Sequence, residues 1–407
     1  MIDITLNNVS AVDAISNIRE KLAIPTQRWD DFLSLPRSKA FTVAGAAKID
    51  LVNDFQEAIS TAVEGGESIS QFRARFDKIV TDHGWSYKGS RGWRTRVIYD
   101  NNLRSAHMAG RWKQIERVKA RRPYLIYNTV NDNRVREEHL SWHQLVLPVD
   151  DAWWDTHYPP NGWGCRCYIV SANDRTLEKR GLTPTSKAPA LKSTERINVK
   201  TGEVYGKVPK GIDVGWNNHV GKQWLASDNA FGEKIMTMAP KTRTAVLKNI
   251  AGIQQREMAK SFTVWSKQVL DSPSRGLRHT IGWLNPGVID ALATKSIVPV
   301  TAAITISDKA LRRMQRELKV KKGIDLPTKV LQKLPAQISR ATAVLSDKQG
   351  GLVFVLPHDA DSRRDKLVAF INFKDDGELT NSVRSSSTTT LRELKNKKRY
   401  ELLSGKL

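Results

Sequence analysis

The spacing of apolar residues predicts helices across the first 120 residues. In residues 46–65, apolar side chains recur at intervals of three and four, which places them on one face of a helix that ends at Gly65. The same spacing recurs after Ser68, a candidate helix cap, and residues 92–119 predict a third helix in which apolar residues are interspersed with many Arg and Lys. The first two stripes consist of Val52, Phe55, Ile59 and Val63, and of Ile69, Phe72, Phe76 and Ile79. We expect these stripes to form a core between packed helices.

The pattern changes at Tyr124. Residues 124–130 are typical of a strand, and a polar turn follows at residues 131–133. Trp, Pro, His and Cys are then concentrated in a short segment that ends at Cys167. Residues 174–222 are rich in Lys, Thr, Pro and Gly and contain few large apolar side chains, which predicts an extended connector. Helical spacing returns over residues 223–274.

The C-terminal part predicts a mixture of strands and helices. Strand-like runs occupy residues 298–306, 352–356 and 367–373, and a helix capped by Ser307 is predicted to continue to Val320. Residues 390–402 predict a final basic helix. The predicted fold class is therefore multidomain, with a mainly α N-terminal region, a small Trp/Pro-rich His/Cys unit and an α+β C-terminal domain with a small antiparallel sheet. The predicted boundaries are 1–120, 121–173, 174–222 (connector), 223–274 (helical segment) and 275–407.

Charge adds a candidate partner to this picture. The chain has 407 residues, with 65 Lys and Arg against 42 Asp and Glu, so its formal net charge is +23. Residues 251–407 contain 28 of the basic and 15 of the acidic residues. Such an excess favours contact with a polyanion such as DNA or RNA. A basic surface that only improves solubility is the alternative interpretation.

Several protein classes are disfavoured by what the sequence lacks. It has no run of about 18 apolar residues, and Met1-Ile2-Asp3 does not begin a basic region followed by an apolar run. We therefore expect neither a membrane span nor secretion through a signal peptide. The two cysteines of the chain, Cys165 and Cys167, exclude a disulfide scaffold and fit synthesis in a reducing cytoplasm.

The histidines and cysteines form a candidate metal site. His139 and His143 are four residues apart, so a helix over residues 137–145 would present both imidazoles on one face. Cys165 and Cys167 could point to one side of an extended segment. Two nitrogens and two sulfurs would make a closed tetrahedral zinc site of the structural type, although Cys-x-Cys is not the usual spacing, and His157 is a rival ligand. A packed core of histidines and thiols, or a strained disulfide, are the alternatives.

The same segment resembles the signature of phage Mu F-type minor head proteins, also called head morphogenesis proteins. The resemblance covers about residues 20–235 and is most specific in the run from Pro159 to Cys167. It also includes Asn131–Arg136, His139, His143, Asp150-Asp151, Trp153-Trp154 and Thr156–Tyr158, with further landmarks at residues 40–44, Trp93-Arg94, Asn101-Asn102, Ala109–Arg111 and Asp213–Asn217. The sequence departs from the pattern at Gln144, where glycine is expected after the second histidine.

This resemblance implies a function. It implies a minor capsid component that is made in the host cytoplasm and present in the virion. Such a component acts near the portal in head assembly, and in DNA packaging or delivery. Its implied partners are the portal and other capsid proteins.

Residues 275–407 contain runs at 300–306, 343–345, 352–355 and 366–372, together with Ser307-Asp308, Leu326-Pro327, Leu334-Pro335 and Asn381–Arg384. On these residues, this part of the chain is similar to the Barnase, EndoU, colicin and RelE-like nuclease domains that are fused to phage head proteins. Metal-independent RNA cleavage needs a base, an acid, and cations or hydroxyl donors around the phosphate, and the candidate catalytic residues here are Arg384, Lys366, Ser385 and Asn381. His279 and His358 are candidate acid/base groups, and Arg312, Arg313 and Arg316 are candidate phosphate ligands. The alternative function is an ejected or polyvalent effector whose C-terminal domain is a metal-independent ribonuclease. A degenerate nuclease fold used only for binding stays open, whereas an ADP-ribosyltransferase lacks its acidic signature here.

Overall fold

In this computed structural model, the residues described are 11–31, 38–225, 228–248, 250, 253–271, 273–274, 276–315, 321, 323–358, 362–375 and 377–407. The chain divides into two compact units, Met1–Ala226 and Ser227–Leu407. The predicted segments 1–120, 121–173 and 174–222 fall in the first unit, and 275–407 falls in the second. No helix among the described residues has the length and apolar character needed to cross a membrane.

The first unit begins with the predicted helices. They are α1 (Ala11–Glu20), α2 (Ile49–Glu64), α3 (Ile69–His83) and α4 (Arg91–Val118), and a short parallel pair, β1 (Leu22–Ala23) and β2 (Ala40–Phe41), lies between α1 and α2. The predicted apolar stripes are buried between the helices, except for Ile69, which is half-buried and lies outside this core. Ser68 caps α3, because its side chain accepts a hydrogen bond from the backbone of Gln71 while the Gln71 side chain accepts one from Ser68.

A three-stranded antiparallel sheet follows. Its strands are β3 (Tyr124–Asn128), β4 (Val146–Pro148) and β5 (Tyr168–Ala172), with β3 in the centre, and the short helices α5 (Glu137–Ser141) and α6 (Trp154–His157) lie in the connections. The helix over residues 137–145 that would present both imidazoles on one face forms only in its first half. The backbone leaves the helix at Trp142, and Gln144 adopts a left-handed conformation with φ of 63°. This is the conformation that glycine favours, which explains why glycine is expected at this position. The turn keeps its shape here with Gln144 in place of glycine.

The predicted extended connector is instead a folded part of the first unit. Residues 174–225 contain α7 (Asp174–Arg180), an antiparallel hairpin of β6 (Ser193–Ile197) and β7 (Val204–Pro209), and α8 (Val220–Leu225). Val208, Ile212 and Trp216 are each 2% exposed or less. They complete one hydrophobic core with α4 and the three-stranded sheet. The prediction failed because these apolar residues are few and separated by polar turns.

Three histidines are expected to make the first unit less stable in acid. Burial lowers the pKa of His107 and of His157 to about 4, with Arg111 adding to the effect on His107. Burial, followed by the charge of Lys222, lowers the pKa of His219. The unfolded chain therefore binds these protons at a higher pH than the folded chain. Between about pH 6.5 and pH 4, the free energy of unfolding should fall by up to about 1.4 kcal/mol per pH unit for each histidine.

Urea unfolding of the full chain at pH 7, 6 and 5, followed by tryptophan fluorescence, measures this slope. In a His107→Gln variant, the slope should be shallower by the contribution of one histidine. A variant with the same slope as the wild type would contradict the assignment of His107.

The second unit is built on a seven-stranded sheet. The strands are β8 (Arg278–Trp283), β9 (Ala303–Ser307), β10 (Ala343–Asp347), β11 (Gly351–Leu356), β12 (Arg363–Asp375), β13 (Glu378–Thr390) and β14 (Tyr400–Gly405). Their order is β14-β10-β11-β12-β13-β9-β8, and every neighbouring pair is antiparallel except β13 and β9. The sheet is therefore larger than predicted and mixed in direction.

The helices of the second unit precede or connect these strands. They are α9 (Asn229–Thr237), α10 (Pro240–Lys248), α11 (Ile253–Leu270), α12 (Pro286–Ala293), α13 (Asp308–Arg313), α14 (Thr328–Leu331), α15 (Leu334–Ser339) and α16 (Leu391–Leu394). Ser307 caps α13 as predicted, but residues 316–320 lie outside the described residues. The final basic helix is wrong, because α16 has four residues and residues 400–405 pair with β10.

Candidate functional site

Three side chains of the predicted metal site meet in the core of the first unit. The Nδ1 atom of His139 lies 3.7 Å from the Sγ atom of Cys165 and 3.4 Å from that of Cys167. All three donor atoms lie within 4.8 Å of one another. The side chains are 2%, 6% and 8% exposed, respectively. We call this group the His/Cys centre.

The orientation of His139 is fixed by its second ring nitrogen. The Nε2 atom lies 2.8 Å from the carbonyl oxygen of Gly211, which can only accept a hydrogen bond. The proton is therefore on Nε2, and Nδ1 presents a lone pair to the thiols. Gly211 permits this approach, because an added Cβ would lie 2.7 Å from the Cβ of Glu138 and 2.9 Å from the ring of Trp142. The imidazole also stacks on Trp142, with ring centroids 5.1 Å apart.

The loop that carries the cysteines is held by α4. The backbone N–H of Gly164 donates to Oδ1 of Asn101 at 2.9 Å, and Arg104 donates to the carbonyl of Cys165 at 3.1 Å. Both Asn101 and Arg104 lie on α4. The long helix therefore positions the cysteine loop from one side.

The segment that was predicted as a connector holds the cysteine loop from the other side. Oδ2 of Asp213 accepts hydrogen bonds from the backbone of Trp163 at 2.8 Å and from the guanidinium of Arg136 at 2.9 Å. Gly162 leaves room for this arrangement, because an added Cβ would lie 2.4 Å from both Asp213 and Arg136. Two of the landmarks in the sequence, Asn101 and Asp213, thus contact the loop that contains Cys165.

A bidentate ion pair fixes the polar turn beside the centre. Both terminal nitrogens of Arg166 contact the carboxylate of Asp132, at 2.6 and 2.5 Å. The hydrogen bond from Arg166 is the largest cause that lowers the pKa of Asp132 to about 2. Asp132 therefore remains charged at neutral pH and is paired with the arginine that lies between the two cysteines in the sequence.

The two thiols are not equivalent. The hydrogen bond from Cys167 lowers the pKa of Cys165, and this effect exceeds the opposing effect of burial. The same hydrogen bond, followed by burial, raises the pKa of Cys167. The pair therefore loses its first proton from Cys165, which is the thiol better prepared to act as a thiolate.

The other two histidines of this segment have different neighbours. The Nδ1 atom of His143 accepts a hydrogen bond from the backbone of Thr129 at 3.1 Å, and His143 is outside the His/Cys centre. His157, the rival ligand, stacks on Trp153 with centroids 4.2 Å apart and contacts Thr156 through Nδ1 at 2.7 Å. The predicted set of four ligands is therefore reduced to His139, Cys165 and Cys167, because α5 ends before His143.

The candidate catalytic residues of the second unit engage different partners. Arg384 lies 3.6 Å from Asp375 and stacks on Phe373, whereas Lys366 donates to the hydroxyl of Tyr400 at 3.0 Å. Asn381 is buried and donates to the backbone carbonyls of residues 301 and 303, which is a structural role. Ser385 is half-buried on β13, opposite Val368 of β12.

The candidate acid/base groups are also engaged locally. His279 contacts Ser261 at 3.0 Å, and His358 lies 3.9 Å from the carboxylate of Asp365. Arg312 donates to the carbonyl of Val269, and Arg316 lies outside the described residues. A ribonuclease site built from these residues stays a prediction.

Sequence reasoning missed several residues that support the His/Cys centre. Gly211 and Arg104 belong to no recognisable motif. Gly211 acts through the absence of a side chain, and Arg104 acts through a hydrogen bond to a backbone carbonyl. The regular four-residue interval of Val208, Ile212, Trp216 and Val220 is a signal that could have identified the connector as part of the core.

Comparison with known proteins agrees with the resemblance to phage Mu F-type proteins that the sequence suggested. Residues 53–170 match the family model described as "Phage Mu protein F like protein". The chain is 27% identical over 366 residues to "Putative capsid assembly protein F" of Escherichia phage Mu, and the alignment covers 83% of this chain and 81% of that protein. It is 25% identical over 356 residues to "Mu-like prophage FluMu F protein" of Haemophilus influenzae, and that alignment covers 80% of this chain and 84% of that protein. No solved structure gives a significant match.

Proposed function

We propose that this protein acts in phage head assembly as a minor capsid component. The observation that carries the proposal is the similarity to the protein of phage Mu that is named a capsid assembly protein, which extends over 83% of this chain. The matched family region, residues 53–170, contains all three residues of the His/Cys centre. Of the residues that hold this centre, Asn101, Arg104 and Arg136 lie in the matched region, whereas Gly211 and Asp213 lie beyond it.

The extent of the similarity also bears on the second unit. An alignment that covers 83% of the chain is longer than the 226 residues of the first unit, so it continues into the second unit. A relative named for capsid assembly therefore has a counterpart of at least part of this sheet. This observation favours a common assembly role for both units over a separate enzyme attached to a head protein.

We place the protein near the portal, where it contacts the portal and other capsid proteins. Contact with packaged DNA is supported by the net charge of +23, because phosphate neutralisation by Lys and Arg attracts a protein to nucleic acid without reading its sequence. The basic residues of 251–407 are the proposed contribution of the second unit to this contact. A role in DNA packaging or delivery would follow from the same contact.

Deleting the gene from the genome that encodes it tests the proposed function. We expect the deletion strain to produce aberrant or unfilled heads, visible by electron microscopy, together with a large loss of infectious particles. Expression of the wild-type chain from a plasmid should restore both. Normal, filled and infectious heads from the deletion strain would overturn the proposal.

A further inference from the structure

We infer that His139, Cys165 and Cys167 bind one zinc ion through Nδ1 and the two Sγ atoms, in a site of three protein ligands. Two soft thiolates and one imidazole are a donor set that zinc prefers over harder cations such as Mg²⁺ and Ca²⁺. The inference concerns the chemistry of the first unit and is independent of the proposed role in head assembly.

The distances between the donor atoms fit a tetrahedral ion. With Zn–S bonds of about 2.3 Å and a Zn–N bond of about 2.0–2.1 Å, a tetrahedral site requires an S···N separation of about 3.6 Å. The separations from His139 Nδ1 are 3.7 Å to Cys165 and 3.4 Å to Cys167. The two sulfurs also lie within 4.8 Å of each other, so a small movement would bring all three atoms into bonding range.

The surroundings of His139 match those of a metal ligand. Histidines that bind metals generally donate their other ring N–H to a carbonyl or carboxylate, which fixes the tautomer and the direction of the ring. His139 donates Nε2–H to the carbonyl of Gly211 at 2.8 Å. The second nitrogen, Nδ1, faces both thiols in a buried site.

The fourth coordination position faces a small cavity. The three ligands line a cavity of about 110 Å³ together with Val130, Arg134, Val135, Arg136, Trp163, Gly164 and Arg166. This volume can hold a water molecule, which needs only a fraction of it. We therefore assign a water molecule to the fourth position. His143 does not supply this ligand, because it lies outside the group of donor atoms formed by His139, Cys165 and Cys167.

The test uses the full chain, purified under reducing conditions without a chelator. Zinc is measured by mass spectrometry of the metal, and cobalt(II) is titrated into chelator-treated protein. We expect about one zinc per chain, at least a tenfold loss in the variants Cys165→Ser, Cys167→Ser and His139→Ala, and retention in the matched control His143→Ala. Cobalt should produce thiolate charge-transfer absorption together with the strong visible bands of a tetrahedral site.

The outcomes separate the alternatives. Folded protein with reduced thiols that binds neither zinc nor cobalt would overturn the inference and leave a packed core. Loss of zinc in His143→Ala to the same extent as in His139→Ala would overturn the three-ligand assignment. A Cys165–Cys167 disulfide in freshly purified protein, detected by thiol titration and mass, would also contradict it. The cobalt spectrum of the wild type needs no variant, so the test does not depend on whether the variants fold.

Discussion

Replacing Trp112 by alanine is expected to lower the free energy of unfolding of the first unit by about 3–5 kcal/mol, the usual cost of removing a large aromatic side chain from a core. Trp112 is 2% exposed. Its ring centroid lies 4.3 Å from that of His219 and 5.6 Å from that of Tyr158. The indole therefore joins α4 to two later segments of the chain, and its removal would leave a cavity that all three segments line.

The contact with α8 is particularly close. A Cβ added at Gly221 would lie 2.1 Å from the Cβ of Trp112, so the backbone of α8 packs directly against the Trp112 side chain of α4. The helix α8 could fill the cavity left by Trp112→Ala only by giving up its other contacts with α4. We therefore expect little relaxation and a cost in the upper half of the range.

Trp93 is the matched control, because it lies on the same helix and is 54% exposed. Its replacement by alanine should cost about 1 kcal/mol or less. Urea unfolding of the full chain followed by fluorescence reports mainly the first unit, which contains ten of the twelve tryptophans. Equal losses for Trp112→Ala and Trp93→Ala would show that the described core is wrong.

Gly162→Ala is expected to have the second largest effect, about 2–3 kcal/mol of lost stability. The added methyl group would lie 2.4 Å from Asp213 and from Arg136. It would separate the Asp213 carboxylate from the N–H of Trp163 and from the guanidinium that it now binds. The cysteine loop would then lose one of its two attachments.

Gly164→Ala is the control for this prediction. Gly164 has a φ of 68°, but an added Cβ would meet no atom within 4 Å. Its replacement should cost only the backbone strain of a left-handed alanine, about 1 kcal/mol. Chemical denaturation of both variants compares the two effects, and a Gly164→Ala variant that is less stable than Gly162→Ala would refute the explanation.

The helices and the position of the His/Cys centre illustrate what sequence can predict. The helices α2 and α3 follow from the regular spacing of apolar residues, because burial on one face of a helix is a local pattern. The pairing of His139 with the two cysteines was also anticipated from spacing. The exclusion of His143 was not, since it depends on a helix that ends at Ser141 and on a hydrogen bond to Thr129.

The errors in the rest of the chain have a non-local origin. Residues 400–405 form a strand because β10 offers them a partner, although their sequence and the preceding lysines favour a helix. The connector folds because α4 and the three-stranded sheet offer an apolar surface to Trp216 and its neighbours. In both cases a deciding partner, β10 or α4, lies more than 50 residues away in sequence, where local patterns carry no information.

The most direct test of the account is complementation of the deletion strain with point variants. Wild-type protein and the Arg384→Ala variant should restore filled, infectious heads, because the proposed role is assembly and Arg384 is engaged by Asp375 and Phe373. The Cys165→Ser/Cys167→Ser double variant should fail, since the region shared with the Mu F-like proteins is organised around these thiols. Full rescue by the cysteine variant together with loss of rescue by Arg384→Ala would contradict the account, because the essential contribution would then come from a candidate catalytic residue and not from the His/Cys centre.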